Sequence, residues 1–314
     1  MESRRQRNYD ILCTGELLID LISTDFAENL DDASIFKRVA GGSPANLCMN
    51  MARLGNKTKL VASVGNDDMG QYLFKMVESL GVDCHQLRKV DVPTTLILVT
   101  RSKAVSNFEP YRAADFEISE LQFPVSLFAE LSLFHTTCFG LSLDPAKTNI
   151  MTAARMAHQH GCQLSIDANY AAKIWPDQEE AQALVAEYCG MNAIVKVSEV
   201  DWARLYNTPL QEPGEAIDHF LALGASEVCL TLGEGGCVVA TANERQAIPG
   251  RKIKVKDTTG AGDAFWSGYL TAWLDGYSLE KRAKIGRNMA ELKLKEFGQL
   301  PSWVDKSLIT RDMR

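Results

Sequence analysis

The run D257-T-T-G-A-G-D-A-F265 sets two glycines and an alanine directly ahead of an aspartate, and the apolar stretch A264-F-W-S-G-Y-L-T-A-W-L274 follows at once. The first N–H groups of a helix have no partner inside it, so Gly260, Ala261 and Gly262 can form a nest of converging donors that holds anionic oxygens. Asp263 then falls in the first helical turn. There the positive end of the helix keeps its carboxylate ionised, ready to take a proton from a hydroxyl while the nest stabilises a phosphoryl group in transfer. A plainer account is that Asp263 only complements the helix dipole, worth about 0.3–1 kcal/mol. The strand-like K252-I-K-V-K256, the flanking Asp257, Thr258 and Thr259, and the apolar helix beyond them favour a site.

On the N-terminal side of this run, short apolar stretches alternate with amphipathic ones. Strands are expected at 9–15, 59–65, 131–139, 162–169, 193–198 and 227–233. Between them lie helical patterns such as 68–80, where Met69, Leu73, Met76, Val77 and Leu80 recur at helical spacing and Gly81 supplies a left-handed stop. This alternation predicts an α/β fold, a doubly wound, mostly parallel sheet with helices on both faces. Two stretches, roughly 17–38 and 90–112, break the pattern. P93-T-T-L-I-L-V-T-R101 reads as an exposed strand rich in β-branched residues, and the two stretches can pair as a small β-sheet lid.

A second motif is A40-G-G-S-P-A-N46. Ser43 followed by Pro44 predicts a helix start, hydroxyl cap then proline, running to Leu54 with Gly55 as its stop. Gly41 and Gly42 allow a ligand close to the backbone, and Asn46 offers a donor and an acceptor suited to hydroxyl groups. A capped tight turn with a solvated asparagine is the alternative.

The 314 residues suffice for a single large domain spanning 1–314. With 33 basic and 40 acidic side chains the net charge is -7, which argues against a nucleic-acid face and for small-molecule partners. Eight cysteines, none in C-x-x-C spacing, indicate buried reduced thiols in a cytoplasmic protein. Glu16 and Asp20 interrupt the apolar stretch after the basic start, so no secretory segment is expected there, and no stretch is long enough to cross a membrane.

Together, G41-G-S-P-A-N46 and D257-T-T-G-A-G-D-A-F265 resemble the two motif regions of the ribokinase-like PfkB family of sugar kinases, in the expected order and over nearly the whole chain. Y111-R-A-A-D115 and D167-A-N-Y170 through Trp175 are similar to its fructokinase branch. The resemblance implies transfer of the γ-phosphoryl group of ATP to a sugar hydroxyl, with Mg²⁺ bridging phosphates and a small sheet covering the sugar. It makes Asp263 the base and the 260–262 backbone the anion hole. Asp20, Gly41, Gly42 and Asn46 would hold the sugar, with Arg112 reaching it from the lid side. Thr231, Gly233 and Gly236 would line the nucleotide site, Ser198 would lie near the phosphates, Asn288 near the adenine, and Asp201 near the metal. A monovalent cation and a homodimer through the lid are left open. Asp20 as a strand-end cap, Thr231 as a plain strand residue and Arg112 as a solvated surface residue are the competing readings.

Two positions depart from the family pattern. S198-E-V-D201 replaces Asn-x-x-Glu, and N169-Y-A171 lacks an arginine, with Lys173 as a speculative substitute. The missing cation favours a neutral ketose such as fructose over the sugar acid 2-keto-3-deoxygluconate. The nearest approach to a P-loop, G65-N-D-D-M-G70, is followed by Gln71 and Tyr72 and has no lysine. A dinucleotide fingerprint would need a glycine where Phe265 stands. His158 and His160 are too poorly spaced on a helix to share a metal. A sugar or nucleotide sensor without turnover is the alternative from another class, suggested by the altered 198–201 segment and opposed by the intact G-A-G-D.

Overall fold

The computed structural model describes residues 7–27, 29–101, 107–296 and 298–313. The chain opens with β1 (Tyr9–Thr14), β2 (Leu18–Phe26) and β3 (Phe36–Gly41), then α1 (Ser43–Arg53), β4 (Thr58–Gly65) and α2 (Asp68–Ser79). Next come β5 (Leu87–Val90), β6 (Leu96–Arg101), β7 (Phe108–Tyr111), β8 (Leu131–Thr137), α3 (Ala146–Gln159) and β9 (Gln163–Asp167). The second half holds α4 (Gln178–Gly190), β10 (Ile194–Ser198), α5 (Glu199–Tyr206), α6 (Pro213–Ala222), β11 (Glu227–Thr231), β12 (Gly236–Ala240) and β13 (Arg245–Pro249). It ends with α7 (Ala261–Leu274), α8 (Leu279–Leu294) and α9 (Lys306–Thr310).

Nine strands form one sheet in the order β13-β12-β11-β10-β9-β8-β1-β4-β5. All neighbours from β11 to β5 run parallel, and only β12 and β13 are antiparallel. The six expected strands are all in it. Their apolar, β-branched runs suit strands covered on both faces. One buried cluster, including Phe134, Tyr188 and Phe220, fills one face, and another, including Met49, Trp266 and Tyr269, fills the other. Helix α7 is buried almost all round, as its apolar sequence requires.

The two irregular stretches do pair, as a separate sheet in the order β3-β2-β6-β7. Residue 28 and residues 102–106 of those stretches, and the basic residues at 1–6, lie outside the described residues. Strand β6 is less exposed than expected. It lies between β2 and β7, and Thr95, Ile97 and Thr100 are buried. The segment 252–256 is not a strand either: it follows the edge strand β13, is mostly exposed and has no sheet partner. All eight cysteines are unpaired thiols, and only Cys84 is not fully buried. Among the described residues no helix is long and apolar enough to cross a membrane.

Candidate active site

Helix α7 starts on Gly260, whose φ of +72° lies in the left-handed region that glycine enters without strain. No side chain caps this end. Its first helical bond runs from the Ala264 N–H to the Gly260 carbonyl at 3.0 Å, and the Ala261 N–H donates to the Thr258 carbonyl at 3.2 Å. The nest is therefore one donor narrower than expected. The N–H groups of Gly262 and Asp263 precede the helical ladder.

The two glycine motifs meet at Asp263. Ser43 Oγ donates to its Oδ1 at 2.7 Å, and Asn46 Nδ2 donates to its Oδ2 at 3.0 Å, across more than two hundred residues of chain. This revises the reading of α1. Gly42, not Ser43, occupies the cap position, and the serine hydroxyl is spent on the carboxylate of another helix. Asn46 likewise touches the acid itself. Both bonds favour the ionised form, but burial outweighs them and pushes the Asp263 carboxyl up to about 6. Burial and these neighbours, and not the helix end alone, set its charge.

Asp20, the third residue of β2 and so inside the strand, is pushed up to about 7 by burial and by the charge of Asp263. The glycine pair explains how Asp20 comes so near. A Cβ on Gly41 would lie 2.1 Å from Asp20 Oδ2, and one on Gly42 would lie 2.2 Å from the Glu16 carbonyl. These glycines thus make room for the protein's own atoms, in addition to any ligand.

Two further ionisable residues join the site. Glu16 is buried, accepts the Ser43 N–H at 2.9 Å and the Thr137 hydroxyl at 3.2 Å, and is pushed up to about 8 by burial. Lys196, in the middle of β10, is 4% exposed and pairs with Asp167 Oδ2 at 2.7 Å. Its Nζ lies 3.4 Å from where a Cβ on Gly262 would be, which puts an ammonium against the nest. Burial alone would favour the neutral amine, but Asp167, Asp201 and Asp263 hold it charged. The signal was available: a lone lysine in A193-I-V-K-V197, an otherwise apolar central strand, needs a buried partner.

Ser198 and Asp201 form a capping box on α5. The Asp201 N–H donates to Ser198 Oγ at 3.0 Å and the Ser198 N–H donates to Asp201 Oδ2 at 3.0 Å, while burial pushes the Asp201 carboxyl up to about 6. Thr231 pairs in register with Ser198, so both stand at the carboxyl ends of adjacent parallel strands. Gly233 and Gly236 follow in the turn into β12, with φ of +53° and +99°.

The remaining positions have the following contacts within the protein. Asn288 is buried, donating to the Ile309 carbonyl at 2.8 Å and accepting from Arg251 at 3.2 Å. Arg112 is not a solvated surface residue. It pairs with Asp115 at 2.6 Å, donates to Ser142 Oγ at 2.7 Å and lies 4.3 Å over the Phe139 ring. Lys173 does not replace the missing arginine, because its Nζ reaches the Phe108 carbonyl at 2.9 Å and Glu109 at 3.0 Å on β7. Ala171 instead lines an open cleft of about 700 Å³ with Lys173 and Arg204. The two histidines fall at the end of α3, with His158 in its last turn and His160 just past it.

Among the described residues no three His, Cys, Asp or Glu side chains converge as a metal cage. Asp167 Oδ1, buried and without a hydrogen bond, is one orphan at the site. A single available carboxylate oxygen fits a Mg²⁺ held chiefly by phosphates and water.

Residues 8–305 match the model of the pfkB family carbohydrate kinases. The ATP-dependent 6-phosphofructokinase of Thermoanaerobacterium thermosaccharolyticum is 32% identical, over 94% of this chain and 90% of that one. The solved fructokinase of Halothermothrix orenii is 30% identical with a TM-score of 0.78, over 93% of this chain and all of the other. The fructokinase of Vibrio cholerae O395, solved with fructose, ADP and calcium, is 25% identical with a TM-score of 0.82, over 97% and 98% of the two chains. Coverage at both ends of the sequence, with the two glycine motifs joined on one aspartate, makes this chain a member of the PfkB family of carbohydrate kinases, phosphotransferases with an alcohol group as acceptor.

Proposed function

We propose that the protein phosphorylates a small neutral ketose, fructose or a close relative, at the expense of ATP, with Asp263 as the general base. The observation that carries this reading is the pair of hydrogen bonds from Ser43 and Asn46, which fix both oxygens of Asp263 beside the helix end. A base needs a fixed direction and a pKa below the working pH, and about 6 meets the second need. The sugar hydroxyl gives its proton to Asp263 as its oxygen bonds to the γ-phosphorus and the bond to the ADP oxygen breaks. The N–H groups at the start of α7 and the Lys196 ammonium then face the charge on the transferring group.

Asp20, with the backbone at Gly41 and Gly42, holds sugar hydroxyls, and the small sheet covers them and excludes water. Arg112, held by Asp115 and Phe139, reaches the sugar from the side of that cover. Thr231, Gly233 and Gly236 line the nucleotide site. Asp167, through its free Oδ1, would hold the water shell of a Mg²⁺, with Asp201 beside it, and that ion would supply charge neutralisation on the phosphates. A homodimer through the small sheet would use β3 or β7, its outer strands among the described residues.

Sugar-dependent ADP release by the purified protein, measured over fructose, other ketoses, aldoses, 2-keto-3-deoxygluconate and fructose 6-phosphate, tests this assignment. Fructose is expected to give the highest kcat/KM. A preference for the sugar acid or the sugar phosphate overturns the neutral-ketose reading, and binding of both ligands without ADP favours the sensor.

A further inference from the structure

Helix α8 carries a lysine in its last turn that nothing in the reaction above uses. The Lys293 side chain is 8% exposed, and its Nζ makes no hydrogen bond. Its nearest opposite charge is Asp257 Oδ2, at 3.6 Å. The lysine Cε also lies 3.7 Å from where a Cβ on Gly260 would be, so the ammonium sits behind the start of the nest. Lys293, Asp257, Thr259, Gly260 and Gly298 share a cavity of about 20 Å³, room for roughly one water.

Asp257 explains why a cation is wanted there. Its Oδ1 accepts the Thr259 N–H at 3.0 Å, and its Oδ2 accepts the Gly298 N–H at 3.2 Å. One carboxylate thus ties the approach to the nest to the loop after α8. Burial disfavours its charge, but the two N–H groups and the Lys293 ammonium together hold its carboxyl below the usual range. A leucine or methionine at 293 would pack more cheaply and leave that carboxylate without a counter-charge.

We propose that Lys293 is a positioning residue: its ammonium is a built-in monovalent cation that holds Asp257, and through it Thr259 and Gly260, in place for phosphoryl transfer. Turnover therefore needs no monovalent cation from solution, and loss of the ammonium creates that need. This rests on the kinase reading of the site.

The test compares wild type and Lys293→Met in choline chloride and in potassium, ammonium or methylammonium chloride at constant ionic strength. Wild-type ADP release should be the same in all four salts within about twofold. The variant should lose about tenfold or more in kcat with a smaller change in sugar KM, and regain much of it with potassium or methylammonium but not choline. A purely packing role would give no rescue. Wild type strongly stimulated by potassium, a variant at full activity, or a folded variant that no cation restores each overturns the proposal. Should Lys293→Met fail to fold, the wild-type salt comparison decides alone. Melting temperatures in the same salts keep the test separate from the kinase reading: the variant should be stabilised by potassium over choline and wild type should not, even if no sugar gives ADP.

Discussion

Helices α5 and α7 both begin beside the carboxyl ends of the central strands, and each carries an aspartate in its first turn, Asp201 and Asp263. Asp201 turns back onto its own cap, where it and Ser198 satisfy each other's N–H groups. Asp263 has no such partner, because Gly260 at its cap has no side chain. Its two oxygens are instead held by Ser43 and Asn46 from α1. The difference shows how one local motif serves two ends. A polar cap keeps the acid for the helix, and a glycine cap releases it to face whatever a second helix brings.

The largest effect should come from Asp263→Asn, which keeps the shape and removes the base. Its kcat should fall by about a thousandfold or more while sugar KM changes little, as steady-state ADP release will show. Unchanged turnover with weakened sugar binding would make Asp263 a ligand contact only.

Ser43→Ala sharpens the comparison from the other helix. A hydrogen bond to a charged group is worth about 1.5–3 kcal/mol, so kcat should drop about ten- to a hundredfold. Because that bond favours the ionised acid, the acid limb of activity should also move to higher pH.

The buried acids give a third effect, on stability. Asp263, Asp20 and Glu16 have folded-state values raised to about 6, 7 and 8, above those of an unfolded chain. Each binds its proton more tightly when folded, so the stability it lends is complete below about pH 4 and is lost as pH climbs through those values. The ligand-free protein should accordingly show a falling denaturation midpoint from about pH 5 to 8 by urea titration, with Glu16→Gln flattening the slope. A midpoint that rises across this range would mean these carboxyls are ionised at little cost.

Ser198→Ala is the smallest change. Loss of the α5 cap should cost about 0.5–2 kcal/mol of stability and leave kcat closer to wild type than Ser43→Ala does. A larger kinetic loss at 198 than at 43 would reverse the roles of the two helix starts.

Much of this arrangement was legible because local rules govern it. The apolar runs that became the parallel strands, the glycine stops at 55 and 81, and the acid after G-A-G all follow from backbone chemistry. What escaped depends on tertiary contact. Ser43 has the residue type and position of a helix cap, and only the approach of α7 turns its hydroxyl to Asp263. Glu16 lies in a stretch read for its sugar-binding aspartate, and its burial under the 42–43 turn is invisible without α1 in place. Residues 252–256 have strand periodicity but no neighbour to pair with, so the pattern alone misleads. The edge strand β13 was missed for the opposite reason, since R245-Q-A-I-P249 alternates weakly and ends in proline.

The claim at the centre of this account is that the carboxylate held between α1 and α7 takes the sugar proton. The pH dependence of kcat/KM for sugar-dependent ADP release, in wild type and Asp263→Asn side by side, tests it most directly. Wild type should lose activity below an apparent pKa of about 6 to 7, the range set by Asp263 and Asp20 together, while the variant keeps only a small rate without that limb. A variant that retains the wild-type rate and the same acid limb would contradict it.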